Sequence, residues 1–195
     1  LSKVSCNPLI ISSNQPSAIM SLSPTLSFAW MLGSIHRTIA LGLGSGLSRF
    51  APGTAGTLLA WILYVVMQVF FSEAAIVVVI IFGLVYGCWA CGICSKDLGY
   101  PDHGSIVWDE IIAFWLVLFC IGSESFAIQA LAFALFRFLD AIKPWPINRV
   151  DRYFKRNAHV NSVRAIIWQG FGIIADDLLA AFFTIVLILL GMRLF

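Results

Sequence analysis

The chain has 195 residues, 60% of them apolar and only 11% charged, with a mean hydropathy of +0.93. A soluble domain of this length needs more polar surface than that, so the composition points to an integral membrane protein. The net charge of +2 provides no basic excess of the kind that nucleic-acid binding requires.

Residues 1–35 are rich in Ser, carry Pro8, Pro16 and Pro24, and show no sustained periodicity. They are expected to form a poorly ordered tail ahead of a membrane-embedded domain over residues 36–195. Lys3 is not followed by a compact apolar run, which argues against a secretory signal. Next come Gly42-Leu-Gly-Ser-Gly-Leu-Ser48 and Ala51-Pro-Gly-Thr-Ala-Gly-Thr57. Backbone N–H groups and hydroxyls in such a stretch suit a close approach to phosphate. Alternatively, Gly42 and Gly46 form a small-xxx-small helix contact, and the spacing leaves both readings open. It matches neither G-x-G-x-x-G nor a Walker loop.

A membrane helix needs about 20 apolar residues to cross a core of about 30 Å. Five runs approach that length, at residues 54–71, 74–94, 106–121, 126–142 and 177–194. The expected fold is therefore all-α, a polytopic membrane helix bundle of four to five spans. The third run is short and has acids near its start, as an interfacial or re-entrant segment would. Gly83 and Gly87 are spaced for close packing of the second span against a neighbour. Cys6, Cys88, Cys91, Cys94 and Cys120 are odd in number and mostly lie in apolar runs, so no disulfide framework is expected. The C-x-x-C-x-x-C spacing at 88–94 lacks a fourth ligand, and these residues read as small helix-packing positions.

The connections alternate in character. Residues 72–73 and 122–125 contain no Lys or Arg, whereas 143–164 carries Lys143, Arg149, Arg152, Lys155, Arg156 and Arg164. The positive-inside rule makes the basic connection cytoplasmic, together with residues 95–105 and the segment bearing Arg37 and Arg49. Arg193, at the other side, is the exception. In this topology the Gly/Ser loop, the loop ending in Asp109-Glu110, the end of span four and Asp176-Asp177 at the start of span five all converge on the cytoplasmic face. Trp108 and Trp145 read as an interfacial aromatic belt.

Six of the ten acids, Asp102, Asp109, Glu110, Asp140, Asp176 and Asp177, fall in these clusters. Like-charge repulsion among acids in apolar surroundings is relieved by a cation or a shared proton, and magnesium takes such oxygen ligands together with substrate phosphate. Adjacent helical acids point about 100° apart, so one member of each pair is expected on the ion and the other behind it. Arg137, Asp140 and Lys143 share a helical face before Pro144 stops the helix; Lys143 is placed to reach a phosphate or, on the blander reading, to snorkel to headgroups. His103 is a candidate general acid or metal ligand in a loop where solvated histidines are common. Ser105 is expected to cap the helix that follows.

These blocks resemble the phosphatidylglycerophosphatase A family of bacterial membrane lipid phosphatases. The resemblance runs through both Gly-rich motifs, DHGSIVWDE at 102–110, FRFLD at 136–140 with KPWP at 143–146, Asp151-Arg152, and GFGIIADD at 170–177, in family order over about residues 36–190. Arg49-Phe50, an insertion between Tyr153 and Trp168, and Gln169 and Ala181 in place of glycines depart from the pattern. The resemblance implies magnesium-dependent removal of the terminal phosphate of phosphatidylglycerophosphate at a bacterial inner membrane, facing the cytoplasm. Asp109, Glu110, Asp176 and Asp177 are the expected metal ligands. Asp109, His103, Asp140 and Lys143 are the expected catalytic residues, and Arg137, Lys143, Gly44, Ser45, Gly46 and Ser48 the expected substrate contacts. A cation transporter or channel using membrane-boundary carboxylates is the rival reading, and a structural protein a third.

Overall fold

A computed structural model describes residues 26–100, 103–122, 124–156 and 163–194. Among these residues the protein is all-helical. Its elements are α1 (Phe28–Leu32), α2 (Ile35–Ala40), a 3-10 helix (Gly42–Leu47), α3 (Pro52–Phe70), α4 (Glu73–Leu98), α5 (Trp108–Ile121), α6 (Phe126–Ile142), α7 (Ile147–Arg156) and α8 (Val163–Leu194). Of the expected 1–35 tail, residues 1–25 lie outside the described residues; residues 28–32 are helical, with Met31 buried.

Local chemistry sets most helix ends. Pro52 opens α3, where its missing N–H costs nothing. The Ser72 and Ser125 hydroxyls cap α4 and α6 by accepting from the backbone N–H of Ala75 and Ile128. Gly99, in the left-handed conformation, ends α4.

Among the described residues three helices are long and apolar enough to cross a membrane: α3, α4 and α8. The other two expected spans are shorter. With 14 and 17 residues, α5 and α6 rise only about 21 and 26 Å. The third run is thus short because α5 sits in the middle of the bundle, packed against α3, α4, α6 and α8. Ile111, Ile112, Ala113, Phe114, Trp115, Val117, Leu118 and Ile121 are all buried there. A helix that is apolar all round belongs in a core, and here other helices shield its backbone.

The fifth span needs correction. Expected to begin at 177, it begins at Val163, so Asp176 and Asp177 lie well inside a 32-residue helix. No proline interrupts 163–176, and a basic side chain from α6 neutralises part of the charge, so the helix carries both acids inward. Gly170 makes that path possible: a Cβ there would stand 1.6 Å from the carbonyl oxygen of Cys88.

Contacts along the helices give their directions. Gly83 meets Ile112 and Gly87 meets Trp108, while Gly92 meets Ile166 and Gly170 meets Cys88, so α4 runs antiparallel to α5 and α8. The start of α3 is level with the start of α5, and the end of α6 meets both α5 and α8. Beyond the N-terminal end of α5, a second cluster of Met31, Ala40, Leu41, Cys91, Cys94, Leu98, Ile106 and Ile173 forms a layer over the bundle. Cys91 and Cys94 are packing residues in it, buried and free. Trp108 is not an interfacial anchor: its indole packs on α4 and donates to the Gly83 carbonyl at 2.9 Å. Trp145 is 75% exposed.

Candidate active site

Between the main core and this second layer is a cavity of about 160 Å3, lined by Asp109, Glu110, Asp140, Lys143, Asp176 and Asp177 with Gly104, Ile106 and Ile173. Three helices supply the charged groups. Asp109 and Glu110 occupy the first turn of α5, where the N-terminal dipole favours anions. Arg137 and Asp140 sit near the end of α6, and α8 brings Asp176 and Asp177.

Asp109, Glu110 and Asp177 each place a carboxylate oxygen within 4.8 Å of the other two. Both adjacent acids of α5 therefore reach one point, the extra methylene of Glu110 making up for its different direction on the helix. The α8 pair behaves as helix geometry predicts and divides. Asp177 joins the cluster while Asp176 pairs with the Lys143 ammonium. All four aspartates are deeply buried, with Asp177 only 3% exposed.

Cations brace the cluster rather than cancel it. Arg137 donates through Nη1 to Asp140 at 2.7 Å and to Glu110 at 3.5 Å. Lys143 donates through Nζ to Asp151 on α7 at 3.2 Å and to Asp176. Burial penalises the Lys143 ammonium, but Asp176 above all, with Asp151 and Asp177, outweighs it and holds the pKa above the ordinary lysine range. Five carboxylates line the cavity against these two cations, so an excess of negative charge remains where water is scarce.

The other sequence candidates stand further off. Gly44, Ser45, Gly46 and Ser48 do not line the cavity. The Ser45 hydroxyl donates to the Gly42 carbonyl and the Ser48 hydroxyl to the Phe50 carbonyl, both at 2.8 Å. A Cβ on Gly46 would stand 2.0 Å from the Ser105 carbonyl oxygen, so this stretch lies hard against the 103–107 loop. Val107 rather than Ser105 takes the N-cap position of α5, and no side chain caps it. His103 does not line the cavity but precedes Gly104, which does; its Nδ1 accepts from the Ser105 N–H at 3.2 Å. In the neutral ring that leaves Nε2 to carry the proton. Asp102 lies outside the described residues.

Two contributors were noted in the sequence only as members of matching motifs and were given no role in the site. Asp151 is the one acid within the basic stretch 143–164, and that isolation is the signal for a partner. Gly53, in the first turn of α3, is where α3 meets the charged groups: a Cβ would stand 2.1 Å from Glu110 Oε1 and 2.8 Å from Arg137 Nη2. Only a residue without a side chain admits both.

Residues 38–192 match the phosphatidylglycerophosphatase A family. The chain is 39% identical to phosphatidylglycerophosphatase A of Haemophilus influenzae over 158 residues, which is 81% of this chain and 88% of that one. It is also 39% identical to phosphatidylglycerophosphatase A of Escherichia coli over 142 residues, covering 73% and 74%. A Bacteroides thetaiotaomicron protein named "Putative phosphatidylinositol-3-phosphatase" is 32% identical over 159 residues, covering 77% and 89%. No solved structure matches significantly.

Proposed function

The chain belongs to the phosphatidylglycerophosphatase A family, and from that membership we propose that it hydrolyses phosphatidylglycerophosphate to phosphatidylglycerol and phosphate with magnesium, in phospholipid biosynthesis at a bacterial inner membrane. Membership favours a phosphatase over the cation transporter or channel that the same carboxylates would allow. The observation that carries the chemical reading is the meeting of Asp109, Glu110 and Asp177 beside Lys143 in one cavity.

The donor set fits the ion. All three donors are carboxylate oxygens, the hard ligands that magnesium takes, and they lie within 4.8 Å of one another. Asp109, Glu110 and Asp177 would hold it. When bound, magnesium supplies charge neutralisation for the phosphate and makes nearby water more acidic. The protein's own groups do the rest. Lys143, kept charged by Asp176 and Asp151, binds a phosphate oxygen. Arg137 fixes Glu110 and Asp140, and its charge adds to the field felt by the phosphate. His103 Nε2 is the candidate donor of the proton that the departing glycerol oxygen needs. The new phosphorus–oxygen bond comes from water or from an Asp carboxylate, and rapid acid quench distinguishes them by trapping phosphoaspartate in the second case.

Phosphate release from phosphatidylglycerophosphate by the detergent-purified chain, with and without magnesium, tests the proposal. Magnesium-dependent release that Asp109→Asn lacks is the expected result. A folded protein that releases no phosphate with lipid and magnesium present refutes it.

A further inference from the structure

At the other end of the bundle, a cavity of about 220 Å3 opens between the last turns of α3, the start of α4 and the end of α5. Its polar lining is Tyr64, Gln68 and Glu73, and its apolar lining includes Phe71, Ile76 and Phe119. From Asp109 to Phe119 is about 15 Å along α5, so this is separate from the carboxylate cluster. Tyr64 is the buried member of this lining, only 3% exposed, and its hydroxyl forms no hydrogen bond among the described residues. The hydroxyl is not sealed in the core but opens to the cavity, where a ligand can meet it. Glu73 at the mouth likewise forms no ion pair among the described residues, and no Lys or Arg lines the cavity.

The chemistry of this lining selects its ligand. Glu73 only accepts hydrogen bonds, Gln68 and Tyr64 can each accept or donate, and Phe71 and Phe119 add aromatic rings that attract cations, so the carboxylate and the rings set the sign of the ligand. An anion would meet Glu73 with nothing to offset it. A hard divalent ion would find a single carboxylate. An ammonium group brings one positive charge and N–H donors that all three polar groups can accept.

We propose that this cavity binds a primary ammonium group, carried either by an aminophospholipid headgroup or by a free amine. The full chain in mixed-lipid nanodiscs, examined by native mass spectrometry, tests it with phosphatidylethanolamine against phosphatidylcholine, whose methylated amine has no N–H. Wild-type protein is expected to retain phosphatidylethanolamine over phosphatidylcholine by about tenfold, as one charge-assisted hydrogen bond allows. Glu73→Gln and Tyr64→Phe should each bring the ratio close to parity with helical circular dichroism unchanged. An added arm with excess ethanolamine identifies the source. Displacement supports a site that accepts the free amine, and retention supports one that needs the lipid. Equal retention of the two lipids by the wild type overturns the proposal. So does a wild-type ratio in both folded variants.

Discussion

Lys143 ends α6 in the left-handed conformation, with φ 46°, a backbone geometry that a non-glycine residue ahead of a proline seldom adopts. Ion pairs to Asp176 and Asp151 hold it there. Because the folded pKa of Lys143 is raised, its stabilisation is fully present below the unfolded value of about 10.4 and is lost only as pH rises through the folded one. Lys143→Met, which takes the ammonium away from one buried and one half-buried carboxylate, is expected to destabilise the protein by about 3–5 kcal/mol. The loss in thermal stability should be constant between about pH 6 and 9, below the lysine's titration. A decrement that shrinks steadily across that window contradicts the assignment. Asp140 poses a different question, because its partner is Arg137 and not the three-carboxylate cluster. Asp140→Asn loosens the guanidinium that orients Glu110, and should raise the magnesium needed for half-maximal phosphate release by about 10–100-fold. A magnesium titration that superimposes on the wild type would assign Asp140 a role independent of the metal.

Among the elements, α5 is too short to span and α8 is longer than a span requires, and both facts serve the site. Burying α5 on every side lets its N-terminal turn open inside the protein, facing a cavity and not lipid headgroups. The length of α8 puts two acids well inside the helix and away from the ends, where charges of apolar helices usually lie. Where α3 closes on this junction, Gly53 is the contact. Gly53→Ala must push Glu110 or Arg137 aside, at an expected cost of about 1–3 kcal/mol and with a fall in phosphate release. Gly191→Ala on α8 is the matched control, since a Cβ there meets nothing within 4 Å; it should be neutral or stabilising by up to about 1 kcal/mol. Equal effects from the two substitutions would show that helix propensity, and not the close approach at Gly53, is what matters.

For the whole molecule, the alternation of helix directions brings the start of α5, the end of α6 and the acids inside α8 together toward one end of the bundle. The connections at the other end hold Glu73 and Glu124 and no basic residue. By the positive-inside rule the carboxylate cavity is expected to face the cytoplasm. With single cysteines in a background lacking reactive native ones, a membrane-impermeant maleimide applied to intact spheroplasts should label Glu124→Cys and spare Arg149→Cys. Inside-out vesicles should reverse the pattern. The same labelling pattern in both preparations would rule out a single fixed orientation.

The sequence by itself determined the helical class, the membrane setting and the bounds of α3, α4 and α6 to within a few residues. Those properties depend on local chemistry: long apolar runs, a proline or capping serine at the start, a glycine or proline at the end. The types of residue gathered in the cavity were legible too, because 22 charged side chains in so apolar a chain stand out. Tertiary structure alone decided that α8 starts at Val163, that Asp176 and Asp177 part company while Asp109 and Glu110 converge, and that Asp151 and Gly53 belong to the site. It also set the Gly44–Ser48 stretch against the 103–107 loop and away from the cavity lining. Whether a buried acid is neutralised by a lysine 33 residues earlier, or a backbone is approached to van der Waals distance, depends on which helices meet. No local run of residues encodes that.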